Sequence, residues 1–301
     1  MWGIKNQVFC QSPCVIRAEL LCANWCFTLP INNFYMGKQF GIVHLSGQYG
    51  NVRMVIDQGK GRAHLSDVVN KDRIMTEEAF APTRENMAEF TGAAVAASAL
   101  RKCLGNQASG FGERYLTSRM QGLMRRIVSR SSGIGGERAV EIAANAALAY
   151  DFDLNREEPF AGRFKADYDL LPNVDRNMVQ LDVPVIDTRL DLAKPQGATH
   201  FRVYLLAGLL ADYTFVGGTI PYQPVNAALN GLKASDETAV LPLRGPLVPT
   251  SIQLTATIAN SPVVPVDVSL VVGLGIEFYR QIGGANTLMG SGNAMRIERL
   301  F

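Results

Sequence analysis

Four cysteines fall within seventeen positions of this chain: Cys10, Cys14, Cys22 and Cys26, in CQSPCVIRAELLCANWC. Thiolates at that density can hold a metal ion or be stapled as disulfides. The spacing is C-x3-C twice, with seven residues between. A structural zinc knuckle favours C-x2-C, a turn that aims two sulfurs at one tetrahedral ion. No glycine lies between Cys10 and Cys26 to form a knuckle's turns, so no metal and no cofactor is expected, and the four cysteines stand only as the alternative metal set. A disulfide framework needs an oxidising compartment. Arg17 and Glu19 interrupt the apolar run that a secretory signal would require. Only Cys103 lies outside the cluster, a usage that suits a reducing, cytoplasmic setting.

A second group is basic. On a helix over residues 113–130, Arg119, Arg126 and Arg130 fall within about 40° of one another beside an apolar stripe. Arg114 and Arg125 form a separate strip, and Glu113 is the segment's single acid. Such a face can contact phosphates, which makes a polyanion or nucleic acid the alternative partner. Aromatics for base stacking are not interleaved, and a solvated or salt-bridged surface is the plainer expectation.

The remaining candidates carry less chemistry. SSGIGGER, residues 131–138, has a glycine-rich loop able to present backbone N–H groups to phosphate. It lacks the Lys-Ser/Thr of a P-loop and follows a helix, so it reads as a linker. His44, His64 and His200 sit in different segments, and there is no G-x-S-x-G elbow. Asp151/Asp153 and Asp167/Asp169 alternate, as calcium ligands or paired acids would, but a solvated strand face is the commoner cause and the expected one. Cys103 reads as a packed small hydrophobe. Glu85 and Glu89 form a like-charge i,i+4 pair that needs an outside cation. Arg73 or an arginine of the second helix can supply it, latching two segments together. No convergent catalytic set emerges, and the expectation is that the chain is not an enzyme.

The elements that must position these residues follow from the rest of the pattern. Of 301 residues, 48% are hydrophobic and 19% charged, a globular composition with a sizeable core. No apolar run reaches the roughly 18 residues of a membrane span. Residues 1–35 are an unpatterned apolar–cysteine mixture, and at Met36 the sequence turns to an ordered strand–turn–strand. The first 35 residues are therefore expected to be a dispensable or non-native extension. Residues 36–150 are expected to form a domain with a β-hairpin over 40–57, a turn at GKGR, and helices. The first helix starts at Thr83 as N-cap, with Met87, Phe90, Ala94, Ala97, Leu100 and Leu104 as its stripe. A third helix, or a helix leading into a strand, is expected at GERAVEIAANAALAY. Residues 151–301 carry short alternating or β-branched runs separated by turns, with no helices between, which predicts an antiparallel β-sandwich or jelly-roll-like domain. The fold class is α+β.

Charge divides along the same line. Residues 36–150 carry 15 basic and 10 acidic residues, while 151–301 carry 12 and 16, giving +5 and −4. Such asymmetry suits head-to-tail attraction between copies.

The chain resembles a family of proteins common in Bacteroidota, with a short glycine-bearing N-terminal hairpin, a helical region and a C-terminal β domain. The resemblance is carried by GIVHLSGQYGNV at 41–52, DRIMTEEAFAPTRENMAEF at 72–90, GERAV at 136–140, ATHFRV at 198–203 and LGIEFYRQIGG at 274–284. It covers nearly all of the chain after Met36. It implies architecture and brings no assigned chemistry or site residue. The functional expectation is a structural, self-assembling homo-oligomer joined through strand edges and complementary charge.

Overall fold

The computed structural model describes residues 36–38, 45–50, 52–57, 60–65, 71–243, 251–259 and 261–301. The expected extension over 1–35, with Cys10, Cys14, Cys22 and Cys26, lies outside the described residues, as does His44. The protein is α+β and divides into two compact units, Met1–Val69 and Asn70–Phe301.

In the first unit, β1 (Met36–Lys38), β2 (Gly47–Tyr49), β3 (Val52–Asp57) and β4 (Lys60–Leu65) form an antiparallel sheet in the order β1-β4-β3-β2. The expected hairpin is the β2–β3 pair, with Gly47 opposite Met54. GKGR differs from its expected role as a turn, because Lys60–Arg62 belong to β4 and pair with β3.

The second unit opens with α1 (Lys71–Thr76), α2 (Ala81–Cys103), α3 (Gln107–Phe111) and α4 (Leu116–Arg130). Then follow β5 (Phe152–Asp153), the short α5 (Phe160–Arg163), β6 (Asp169–Pro172), β7 (Met178–Val183) and β8 (His200–Ala211). After these come β9 (Tyr213–Phe215), β10 (Tyr222–Pro224), β11 (Lys233–Glu237), β12 (Leu241–Pro242) and β13 (Ile252–Thr257). The chain closes with β14 (Val268–Ile282), β15 (Ala285–Leu288) and β16 (Ala294–Leu300). The large sheet has the order β11-β8-β14-β16-β5, with β12 also on β8 and β15 on β14, and a smaller sheet runs β13-β7-β6.

The long strands β8 and β14 sit between two cores, which explains their nearly unbroken apolar sequence. Phe201, Val203, Leu205 and Leu209 of β8 join Leu270, Val272 and Ile276 of β14 against Val179, Leu181, Ile252 and Leu254 of the small sheet. Leu206, Leu210 and Val271, on the opposite face, meet Ala96, Leu100, Met120, Leu123 and Met124 of α2 and α4. The unit is therefore three layers: helices, large sheet, small sheet. The sandwich is real, but the helices cover its second face. The division between units falls at residues 69–70 rather than at the expected 150–151, because α2 and α4 share a core with the strands.

Three helical expectations change. Phe80, not Thr83, occupies the N-cap of α2, with Pro82 in the first turn where a missing N–H costs nothing. The buried face of α2 is Glu89, Gly92, Ala93, Ala96, Ala97, Ala99, Leu100 and Cys103; of the expected stripe Ala97, Leu100 and Leu104 are buried, whereas Met87 and Phe90 are exposed. The third helix is absent: 136–150 holds turns and one 3-10 turn at Ala146–Ala149. Its backbone finds partners elsewhere. Val140 bridges Tyr213, and the N–H groups of Ile142 and Ala143 both donate to Asp212 Oδ1, at 2.7 and 3.0 Å. Val140 and Ile142 gain full burial in exchange.

Candidate functional site: the arm of β14 and β15

Strand β14 outruns its neighbours. It pairs with β8 from Val268↔Ala211 to Tyr279↔His200, then continues as a ribbon with β15 alone, closing at Ile282↔Ala285. The turn is Gly283-Gly284, with φ of +59° and +86°. Two successive left-handed residues are what a two-residue hairpin matching the strand twist demands, and glycine adopts them without a Cβ clash. Every residue from Arg280 to Leu288 is exposed, Ile282 and Leu288 included.

The pairing fixes which backbone groups are free. Residues flanking a two-residue turn exchange both hydrogen bonds, and bonded and non-bonded pairs then alternate. Ala285 and Thr287 therefore face β14, and the N–H and C=O groups of Asn286 and Leu288 point outward. The Met289 N–H donating to Phe278 O at 2.9 Å keeps the same parity. β15 pairs with no other described strand.

The root of the arm is held on both faces. The Arg280 guanidinium donates to Gly197 O at 3.2 Å and Gln196 O at 3.4 Å, while Gln281 N–H donates to Thr199 Oγ1 at 2.8 Å. On the helix-side face of the sheet, Tyr204 and Tyr279 hydroxyls both donate to Glu277 Oε2, at 2.7 and 2.6 Å. Arg202 lies over both tyrosine rings, within 6 Å of each centroid, and pairs with Glu237 at 2.9 Å. The ring of Phe111 meets Tyr204 edge-on at 5.9 Å. Glu277 takes two donors and Arg202 a carboxylate and two aromatic faces, while the buried Arg202 Nε has no hydrogen-bond partner among the described residues. The set links β8, β11 and β14 as a brace.

Burial, and hydrogen bonding to Glu277, push the Tyr279 phenol far above its ordinary 10.0; burial likewise raises Tyr204. An acid whose folded pKa is raised keeps its proton longer folded than unfolded. Its stabilising contribution is complete below pH 10 and is lost as pH rises beyond. Alkaline titration should show stability falling above about pH 10, less steeply in Tyr279→Phe. Equal slopes for the two proteins would uncouple the brace from folding.

The arginines nominated from sequence separate. Arg119 is engaged: it pairs with Glu113 at 2.5 Å, donates to Asp153 O at 2.7 Å and covers the Phe152 ring at 4.7 Å. Its side chain is 13% exposed, so it is withdrawn from any phosphate-binding face. Arg126 and Arg130 are exposed, and no ion pair to either is found among the described residues. The structure thus does not bring the three together as one free basic face.

The expected latch at Glu89 is present. Buried Glu89 accepts from Gly136 N–H at 3.1 Å and faces Arg138 at 3.6 Å and Arg125 at 3.9 Å. The glycine-rich linker does bind an anion, but that anion is the protein's own carboxylate. Arg73 instead pairs with Glu77 at 2.6 Å. Asp151 faces Arg296 at 3.3 Å and Asp153 accepts from Phe160 N–H, so these two acids do not form a calcium site; Asp167 and Asp169 are exposed. His200 Nδ1 and Thr199 Oγ1 share a hydrogen bond of 2.9 Å. Cys103 is buried, donates to Leu209 O, and burial pushes its thiol to about 12. No group of three or more metal-ligating side chains occurs among the described residues, and no described helix is long and apolar enough to cross a membrane.

Sequence reasoning missed the Tyr204–Glu277–Tyr279 brace. Its signal was available: in HFRVY and GIEFY the polar residues alternate with buried apolar ones and mark one sheet face. Comparison with protein-family models, curated proteins and solved structures gives no match.

Proposed function

We propose that this chain is a non-enzymatic structural protein that associates with copies of itself by strand addition at the β14–β15 arm. The observation that carries this reading is the open edge of β15, where Asn286 and Leu288 hold four unpaired main-chain groups beside exposed apolar side chains. An uncovered strand edge is a template for another strand unless charge, proline or a covering element blocks it. Among the described residues of its own unit this edge has none of the three: its residues are Ala285, Asn286, Thr287 and Leu288. The arm's root is fixed by Arg280, Thr199 and the tyrosine brace, so little conformational freedom is lost when a partner adds.

The test is chromatography with light scattering on the full chain and on Asn286→Pro/Leu288→Lys. The proline removes an outward N–H without touching the ladder to β14, and the lysine charges the edge. Association should weaken about tenfold or more, as expected when each of two paired arms loses one main-chain hydrogen bond, with the circular dichroism spectrum unchanged. A wild-type monomer at high concentration in both low and high salt would overturn the reading. A polyanion-binding alternative keeps only Arg126 and Arg130 of its original three arginines.

A further inference from the structure

The geometry points to a second, heterologous contact between copies: the paired loops 173–177 and 261–267 of one copy seat in the trough between α2 and α4 of the next. This rests on the self-association reading but uses a different surface. Two features with matching chemistry motivate it.

The first is an apolar, acidic knob. Loop 173–177 joins β6 to β7, and 261–267 leads from β13 into β14. They are tied together: Val264 N–H donates to Asp175 O at 2.9 Å and Asn177 Nδ2 to Ser261 O at 2.9 Å. Arg176, in the left-handed region at φ +53°, spends its guanidinium on Val264 O and Pro265 O at 2.8 and 2.7 Å. The loops are thus rigid, yet they hold Val174 at 97% exposure, Val266 at 86% and Val263 at 66%, with the exposed carboxylate of Asp175 and the half-buried Asp267 beside them. Preorganised apolar side chains in water mark a contact surface.

The second is an apolar, basic trough of about 570 Å³ lined by Thr83, Asn86, Met87, Phe90, Thr91 and Arg125. Met87 and Phe90 are 52% and 54% exposed although they lie mid-helix, leaving α2 with an uncovered apolar face opposite its buried one. Arg125, which donates to Asn86 and faces Glu89, forms part of the wall; the charge offered to a partner is that of the exposed Arg126 next to it, while the nearby acid Glu85 is turned toward Gly135 and Gly136.

Position decides the partner. The trough belongs to the helix layer and the loops to the small-sheet layer, on opposite faces of the large sheet. The loops of one copy therefore do not lie in its own trough, and a second copy must supply them. The contact is heterologous, a knob on one copy against a trough on another. Its polarity follows the charge within the second unit, where residues 71–150 hold 11 basic and 8 acidic residues, +3, against −4 over 151–301.

Charge reversal tests the contact in the Asn286→Pro/Leu288→Lys background, where arm pairing is suppressed. Residual association should persist there, weaken with salt, and fall on the order of fivefold with either Asp175→Lys or Arg126→Glu. Mixing the two reversed proteins should restore it, and Phe90→Ser should abolish it. If the arm variant is a salt-independent monomer, or mixing restores nothing, the inference is overturned while the arm reading stands. If arm substitutions change nothing and charge reversal dissolves the oligomer, the arm reading fails and this contact remains.

Discussion

Replacing Arg296 by methionine should lower the unfolding free energy by about 3 kcal/mol, the cost of stranding a buried charge. Arg296 is 15% exposed and pairs with the nearly buried Glu298 on the same strand, with Asp151 at 3.3 Å and with the Tyr168 hydroxyl at 2.8 Å. Its guanidinium lies 5.2 Å from the Phe160 ring centroid. The residue thus ties β16 to the segment around Asp151, to α5 and to the approach to β6. Methionine keeps much of the packing volume but leaves the Glu298 carboxylate without its cation. The double change Arg296→Met/Glu298→Met should recover most of the loss, because two apolar side chains of similar size can replace a buried pair almost neutrally. Urea denaturation of the three proteins decides it. A double variant no better than the single one would mean that the arginine's other partners, rather than the stranded carboxylate, account for the cost.

The Gly208→Ala variant should lose about 2–3 kcal/mol, the range for overpacking a closed core. A Cβ on Gly208 would lie 2.7 Å from both the Cβ and the carbonyl oxygen of Cys103, and 3.0 Å from its carbonyl carbon. These are backbone-fixed atoms, so the strain cannot be relieved by turning a side chain; the end of α2 must lift from β8. Gly122, an exposed helical position whose added Cβ meets nothing within 4 Å, is the control. Gly122→Ala should gain about 0.5–1 kcal/mol by restricting the unfolded chain and favouring the helix. Opposite signs at the two glycines are the expected result, and a neutral Gly208→Ala would show that α2 is not seated on the sheet as closely as described.

What sequence reveals here depends on whether a residue's partner is local. β8 and β14 were legible because their apolar runs are long and bounded by turns, and the Glu89 latch because a like-charge pair on one helix advertises a missing cation. Strand β16 was not legible: Arg296, Glu298 and Arg299 put three charges in its seven residues, and only the folded protein shows the first two paired inside it. The 136–150 segment has the composition of a helix, and only the distant Asp212 and Tyr213 explain why it is not one. Met87 and Phe90 obey helical periodicity equally well on either face of α2, since the alanines that pack against the sheet also repeat at three and four. The arm was half visible, as a Gly-Gly pair after β14, but an unpaired edge is a fact about missing neighbours, and no spacing encodes that.

The length of β14 has a mechanical consequence. A load applied at the arm would run along the same strand that lies between β8 and β16, registered with β8 through twelve successive pairs. Pulled in that direction, those bonds bear force side by side and must yield together, not one after another from an end. An assembly joined through the arm would therefore put its tension on the part of the fold best arranged to resist it, and stretching should rupture the contact between copies before it unravels the subunit.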